Sequence, residues 1–161
     1  MLIKTISERG DGYDRPSQYD ELFMDLKVYQ KAEDREDGTE VVFSEHTDAE
    51  HLMTDADVVT PVVKRILQSM KHGEICSTRV LPQYVEENDP EFKTRHPEYC
   101  PDRNLTVDVH LKGLCAIWDL YRDKTVFYKS LKRGQGTASP YYDCKVTLRV
   151  KIDIDGENKI D

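Results

Sequence analysis

IKTISERGDGYDRPSQYDELFMDLKV, residues 3–28, is the stretch that decides the fold. It contains most of an alternating run at 2–7, then GDGYDRP, a turn punctuated by glycine and proline. A longer alternation at 20–31 follows, with Leu22, Met24, Leu26 and Val28 on one face. A period of two puts those four side chains on the same side of a strand. The design recurs downstream, where residues 127–152 read FYKSLKRGQGTASPYYDCKVTLRVKI. Arg9, Gly10, Gly12 and Pro16 return as Arg133, Gly134, Gly136 and Pro140 at one constant spacing. Val146, Leu148, Val150 and Ile152 repeat the apolar alternation, and each strand then reaches an Asp-Gly turn, Asp37-Gly38 and Asp155-Gly156. A GxG alone is a weak motif. Four gap-free identities inside matching hydrophobic patterns read as an internal repeat.

At residues 33–40 the acidic stretch EDREDGTE makes a hairpin tip, with Asp37-Gly38 suited to a turn that needs positive φ. EVVFSE returns as a strand, and residues 46–57 read as irregular with a short strand around 50–53. Residues 59–70 form the one convincing helix. Thr60 is its N-cap and Pro61 its first residue, where a missing N–H costs nothing. Val59, Val62, Val63, Ile66, Leu67 and Met70 make an apolar stripe at helical spacing, and Gly73 ends the segment. Residues 74–81 alternate as a strand, 82–103 read as a long loop, and 104–114 (NLTVDVHLKGL) are a final strand. One central helix among five or six antiparallel strands is an α+β plan.

The composition bounds the function. The chain has 161 residues, 38% hydrophobic and 34% charged, with a net charge of −8. That balance suits a globular domain and argues against binding a phosphate backbone, which needs clustered Lys and Arg. No apolar stretch is long enough to span a membrane, and MLIKTISERG has no signal-peptide character. The chain therefore reads as cytoplasmic or nuclear. Cys76, Cys100, Cys115 and Cys144 form no CxxC pair and read as idle thiols. The scattered histidines offer no metal-binding spacing, so neither a metal nor a cofactor is expected.

The order of pieces resembles the FKBP family of peptidyl-prolyl isomerases. The matching pieces are IKTISERGDGYDRP, the strand to DGTEVVF, the helix ending ILQSMKHGE, the strand running into LPQY, and NLTVDVHLKGL. Together they cover nearly all of residues 2–117. The family's usual phrasing is close to a GxGYxxP turn, a DGTxF hairpin, an ALxxMKxGE helix end, a PxY loop and an NxxLxxxVxL strand. WDLYRDKTVFYKSLKRGQG also looks like the junction between successive repeats of large multi-repeat immunophilins. The resemblance implies a five- to six-stranded antiparallel half-barrel sheet wrapped on one short helix. The internal repeat divides the chain into a domain at 1–117, a linker at 118–124 with Trp118 or Leu120 packing back, and the opening strands of a second repeat at 125–161.

The family's catalytic bowl is an aromatic pocket with a tryptophan floor and a tyrosine hydroxyl at its rim. Its rigid walls favour the twisted amide on the way over a barrier of about 18–20 kcal/mol. Carried over residue by residue, the bowl is degenerate. The strand tyrosine falls on Leu26. The Phe-Asp pair falls on Val41-Val42 or Phe43-Ser44, and the next wall phenylalanine near His51 or Leu52. The Val-Ile before the helix becomes Val59-Thr60, and the floor tryptophan becomes Val63. In the PxYxYG loop Tyr84 is kept, but the rim tyrosine falls on Glu86. The last-strand phenylalanine becomes Val107. No residue is expected to be catalytic.

The sequence therefore leads to a non-catalytic FKBP-like module, a protein-interaction or spacer domain of a multi-repeat immunophilin or co-chaperone. Expected partners are other proteins, with a heat-shock chaperone or its clients reached through other parts of a longer parent. Association through the partial repeat is a further expectation. The alternative is an active isomerase assisting protein folding, with Phe92 and Tyr99 of the 82–103 segment supplying replacement aromatics.

Overall fold

Five alternating runs become strands: β1 (Leu2–Glu8), β2 (Glu21–Gln30), β3 (Val41–Leu52), β4 (Ile75–Val80) and β5 (Leu105–Cys115). The computed structural model describes residues 1–32, 38–131, 141–147, 149–150, 152–154 and 157–160, the last two groups through their backbone only. The five strands make one antiparallel sheet in the order β1-β4-β5-β2-β3. Leu22, Met24, Leu26 and Val28 of β2 are all buried, as are Leu105, Val107, Val109 and Leu111 of β5. Those alternate residues form the sheet's inner face.

The inner face packs on α1 (Pro61–Leu67). Pro61 opens the helix and Thr60 occupies the N-cap, although its side chain makes no capping bond. The helix is shorter than the 59–70 expected, because after Leu67 the chain tightens into turns closed by Ser69 N–H to Ile66 O and Met70 N–H to Leu67 O. The apolar stripe survives the change, and Val59, Val62, Val63, Ile66, Leu67 and Met70 are all buried in the core. Each such burial contributes about 1.5–3 kcal/mol before entropy costs.

Two other expectations differ. Residues 46–57 are not mostly irregular: β3 continues to Leu52 by shifting register twice against β2. Asp48 absorbs part of the shift at φ 50°, held by its N–H donating to Asp25 Oδ1 at 2.8 Å. Such bulges break the alternation by which a strand is recognised. The expected 82–103 loop carries two helices, α2 (Pro82–Asn88) and α3 (Phe92–Arg95).

The chain divides into two compact units, Met1–Leu131 and Lys132–Asp161. Within the first, β6 (Ile117–Asp119) and β7 (Phe127–Lys129) form a hairpin, so residues 118–124 supply part of a strand and its turn. The hairpin is tied to the start of β2. Ile117 N–H donates to the buried Asp20 carboxylate at 3.0 Å, Lys129 pairs with Glu21, and Phe127 meets Tyr19 edge-on at 5.1 Å. Trp118 stacks on Tyr128 at 5.6 Å but stays half exposed, as does Leu120. In the second unit β8 (Ile152–Ile154) pairs with β9 (Glu157–Ile160). Asp37 in the first copy, and Arg133, Gly134, Gly136, Pro140, Leu148, Asp155 and Gly156 in the second, lie outside the described residues. Gly38 has the positive φ expected of it, 65°.

Candidate functional site

The site anticipated from sequence would lie where β2, β5 and α1 face one another. Leu26, Val59, Val63 and Val107 do come together there, as members of one buried core. Val63, at the floor position, is 1% exposed. Thr60 is buried beside them, and its Oγ1 has no hydrogen-bond partner among the described residues. Phe43 falls within the register shift of β3 and packs against the core, as does Tyr84 of α2. Val42 and Leu52 are 40% and 44% exposed, and Glu86 is exposed on α2. The ten positions therefore do not converge into one lining.

Aromatic side chains from the 82–103 segment pack against this wall. Phe92 of α3, 1% exposed, meets Phe43 with ring centroids 5.4 Å apart and Tyr99 at 5.1 Å, both edge-to-face. Tyr99 also meets Phe43, at 5.9 Å, and His96 contacts both phenylalanines at 5.3 and 4.7 Å. Aromatic pairs of this geometry add about 0.5–1.5 kcal/mol each beyond burial. The segment is braced within itself and held at its far end. Arg95 pairs with the buried Asp89. Gln30, the last residue of β2 and fully buried, donates to Cys100 O at 2.8 Å and Arg103 O at 3.3 Å, and accepts from Cys100 N–H at 3.1 Å.

The charged groups lie around this core. His46 and His51 of β3 meet edge-on at 4.8 Å, and His51 Nδ1 lies 3.1 Å from Asp55 Oδ2. Burial, and then the neighbouring His51, hold the His46 pKa below its usual value. On the sheet's outer face Lys112 Nζ donates to Asp25 Oδ1 at 2.7 Å and also pairs with Asp48. The Asp48 N–H and then Lys112 lower the Asp25 pKa. A hollow of about 370 Å³ opens there, bordered by Ser7, Lys27, Ser77, Asp108 and His110. Burial raises the pKa of Cys76, so its thiol stays protonated. All four cysteines are free.

Sequence reasoning missed Gln30 and Asp89, and treated Phe92 and Tyr99 only as replacements for lost pocket aromatics. A signal for Gln30 was present: it continues the inward phase of Leu22, Met24, Leu26 and Val28, so a polar residue there needs buried partners.

No protein-family model matches the chain. Among solved structures, the three FKBP domains of wheat FKBP73 match with a TM-score of 0.62 and 26% identity, over 87% of this chain and 55% of that one. This chain thus spans little more than half of the wheat chain. The N-terminal domain of FKBP42 from Arabidopsis thaliana matches at 20% identity and a TM-score of 0.49, over 70% of this chain and 85% of that one. FkpA from Escherichia coli matches at the same identity and score, over 70% and 47%.

Proposed function

We propose that this chain, which has an FKBP-type fold, works as a non-catalytic module of a multi-repeat immunophilin or co-chaperone, binding or spacing other proteins. One observation carries the reading: Val63, at the floor position, is 1% exposed and belongs to the same buried core as Phe92 and Tyr99, which pack onto Phe43. Seating a prolyl ring at the floor position would mean opening that closed core. Emptying a phenylalanine site in a core costs about 3–5 kcal/mol. Burying the ring's three methylenes returns only about 0.8 kcal/mol apiece. Glu86 at the rim position offers a carboxylate where the family resemblance calls for a phenolic donor, which supports the same reading.

The partners in this proposal are proteins, with a heat-shock chaperone or its clients engaged through parts of a longer parent. The place of action is the cytoplasm or nucleus. No helix among the described residues is long and apolar enough to cross a membrane. The test is an isomerisation assay on an X-Pro tetrapeptide. Uncatalysed exchange takes tens to hundreds of seconds at 25 °C, and the full chain at micromolar concentration is expected to leave that relaxation unchanged. Acceleration proportional to protein concentration would overturn the proposal in favour of an active isomerase.

A further inference from the structure

A cleft of about 250 Å³ lies beside α2, with Val85, Pro90 and Pro101 among its walls. Of the ten positions read as the degenerate bowl, only Glu86 touches it. Asp89 and Tyr99 also line it, and both are nearly inaccessible, at 3% and 4% exposure. Each carries an oxygen without a hydrogen-bond partner among the described residues: Asp89 Oδ2 and the Tyr99 hydroxyl. The other carboxylate oxygen of Asp89 is engaged by Arg95. Buried polar atoms are normally satisfied, so two covered, unpaired oxygens on side chains that line one cleft point to a ligand that donates to both once the cleft opens to admit it.

We propose that this cleft receives the guanidinium of an arginine side chain presented by a partner protein. A guanidinium is flat and offers five N–H donors in a fixed fork. One edge donates to Asp89 Oδ2 and a neighbouring N–H to the Tyr99 hydroxyl oxygen, while the exposed Glu86 meets the charge at the mouth. Val85 and the two prolines cover the aliphatic stem, as apolar surface does for long basic side chains. Burial, followed by Glu86, pushes the Tyr99 pKa up to about 12, so the hydroxyl stays neutral beside the carboxylates. The net charge of −8 draws basic partners towards the molecule. Lys93, on the same lining, opposes the incoming charge and sets a limit on affinity.

The inference rests on the protein-interaction reading for its class of partner, but not on the loss of catalysis. The experiment is a titration of the full chain with N-acetyl-arginine amide, followed by amide chemical shifts. N-acetyl-citrulline amide, its neutral near-isostere, serves as the control. Saturable shifts confined to residues 85–101 are expected for the arginine probe, with the citrulline probe weaker by roughly fivefold or more. Tyr99→Phe keeps the packed ring and should weaken arginine binding about threefold or more. Glu86→Gln, at an exposed position, should weaken it too, and Lys93→Glu should tighten it. Absence of saturable shifts, equal binding of citrulline, or undiminished binding by Tyr99→Phe would overturn the assignment. Failed titration with no isomerase activity removes the cleft and leaves the first reading standing. Isomerase activity with intact titration does the reverse.

Discussion

At the scale of single residues, His46 is the group whose environment most directly sets a pH response. Its ring lies edge-on to His51 at 4.8 Å, and burial followed by that neighbour lowers its pKa from 6.5, against a smaller opposing pull from Asp55. In the unfolded chain His46 regains its ordinary value, so below about pH 6.5 the unfolded state binds more protons than the folded one. The contribution is therefore fully present above that pH and is lost as pH falls through the lowered folded value. Urea midpoints measured from pH 7 to pH 5 should decline, and His46→Gln should flatten the decline. Parallel profiles for the two proteins would remove His46 as its source.

At the scale of elements, the sheet and α1 were legible because burial on one face imposes a period. Leu22 to Val28, Leu105 to Leu111 and Val59 to Met70 carry it without interruption. The helices α2 and α3 were not legible. α2 is seven residues long, begins after Leu81 with no side-chain cap and buries only Val85, while α3 is a single turn burying only Phe92. Pro82 at the helix start was the one local clue. Of the anticipated site, the buried wall was readable, because those positions follow the strand and helix phases. The aromatic packing on Phe43 was not, since its contacts with Phe92 and Tyr99 join elements nearly fifty residues or more apart in sequence. Gln30 holds that packing from the end of β2. Gln30→Ala leaves the Cys100 N–H and the Cys100 and Arg103 carbonyls without this partner, and is expected to cost roughly 2–4 kcal/mol in urea unfolding. Faster hydrogen exchange should appear at 92–103 before the sheet responds. An unchanged midpoint would mean that the segment is held by its aromatic rings alone.

At the scale of the whole molecule, the position of the first boundary is open to direct test. A chain ending after Leu131 keeps the β6–β7 hairpin, whereas one ending after Ala116 loses Ile117 N–H to Asp20, the Lys129–Glu21 pair and the Tyr19–Phe127 contact. A hydrogen bond to a charged group contributes about 1.5–3 kcal/mol and an exposed ion pair at most about 1 kcal/mol. The shorter chain should therefore unfold at lower urea by an amount near 2 kcal/mol. Coincident curves would instead put the boundary at 117, with the hairpin as an appendage. The outer strand β3 has a different consequence at this scale. A long straight edge strand is a template for pairing with another chain. β3 is twelve residues long, yet it is offset twice, turned through a left-handed Asp48, and studded with the exposed Glu45 and Glu50. Those interruptions act as insulation, shortening the run of free edge on which a strand of another molecule could pair.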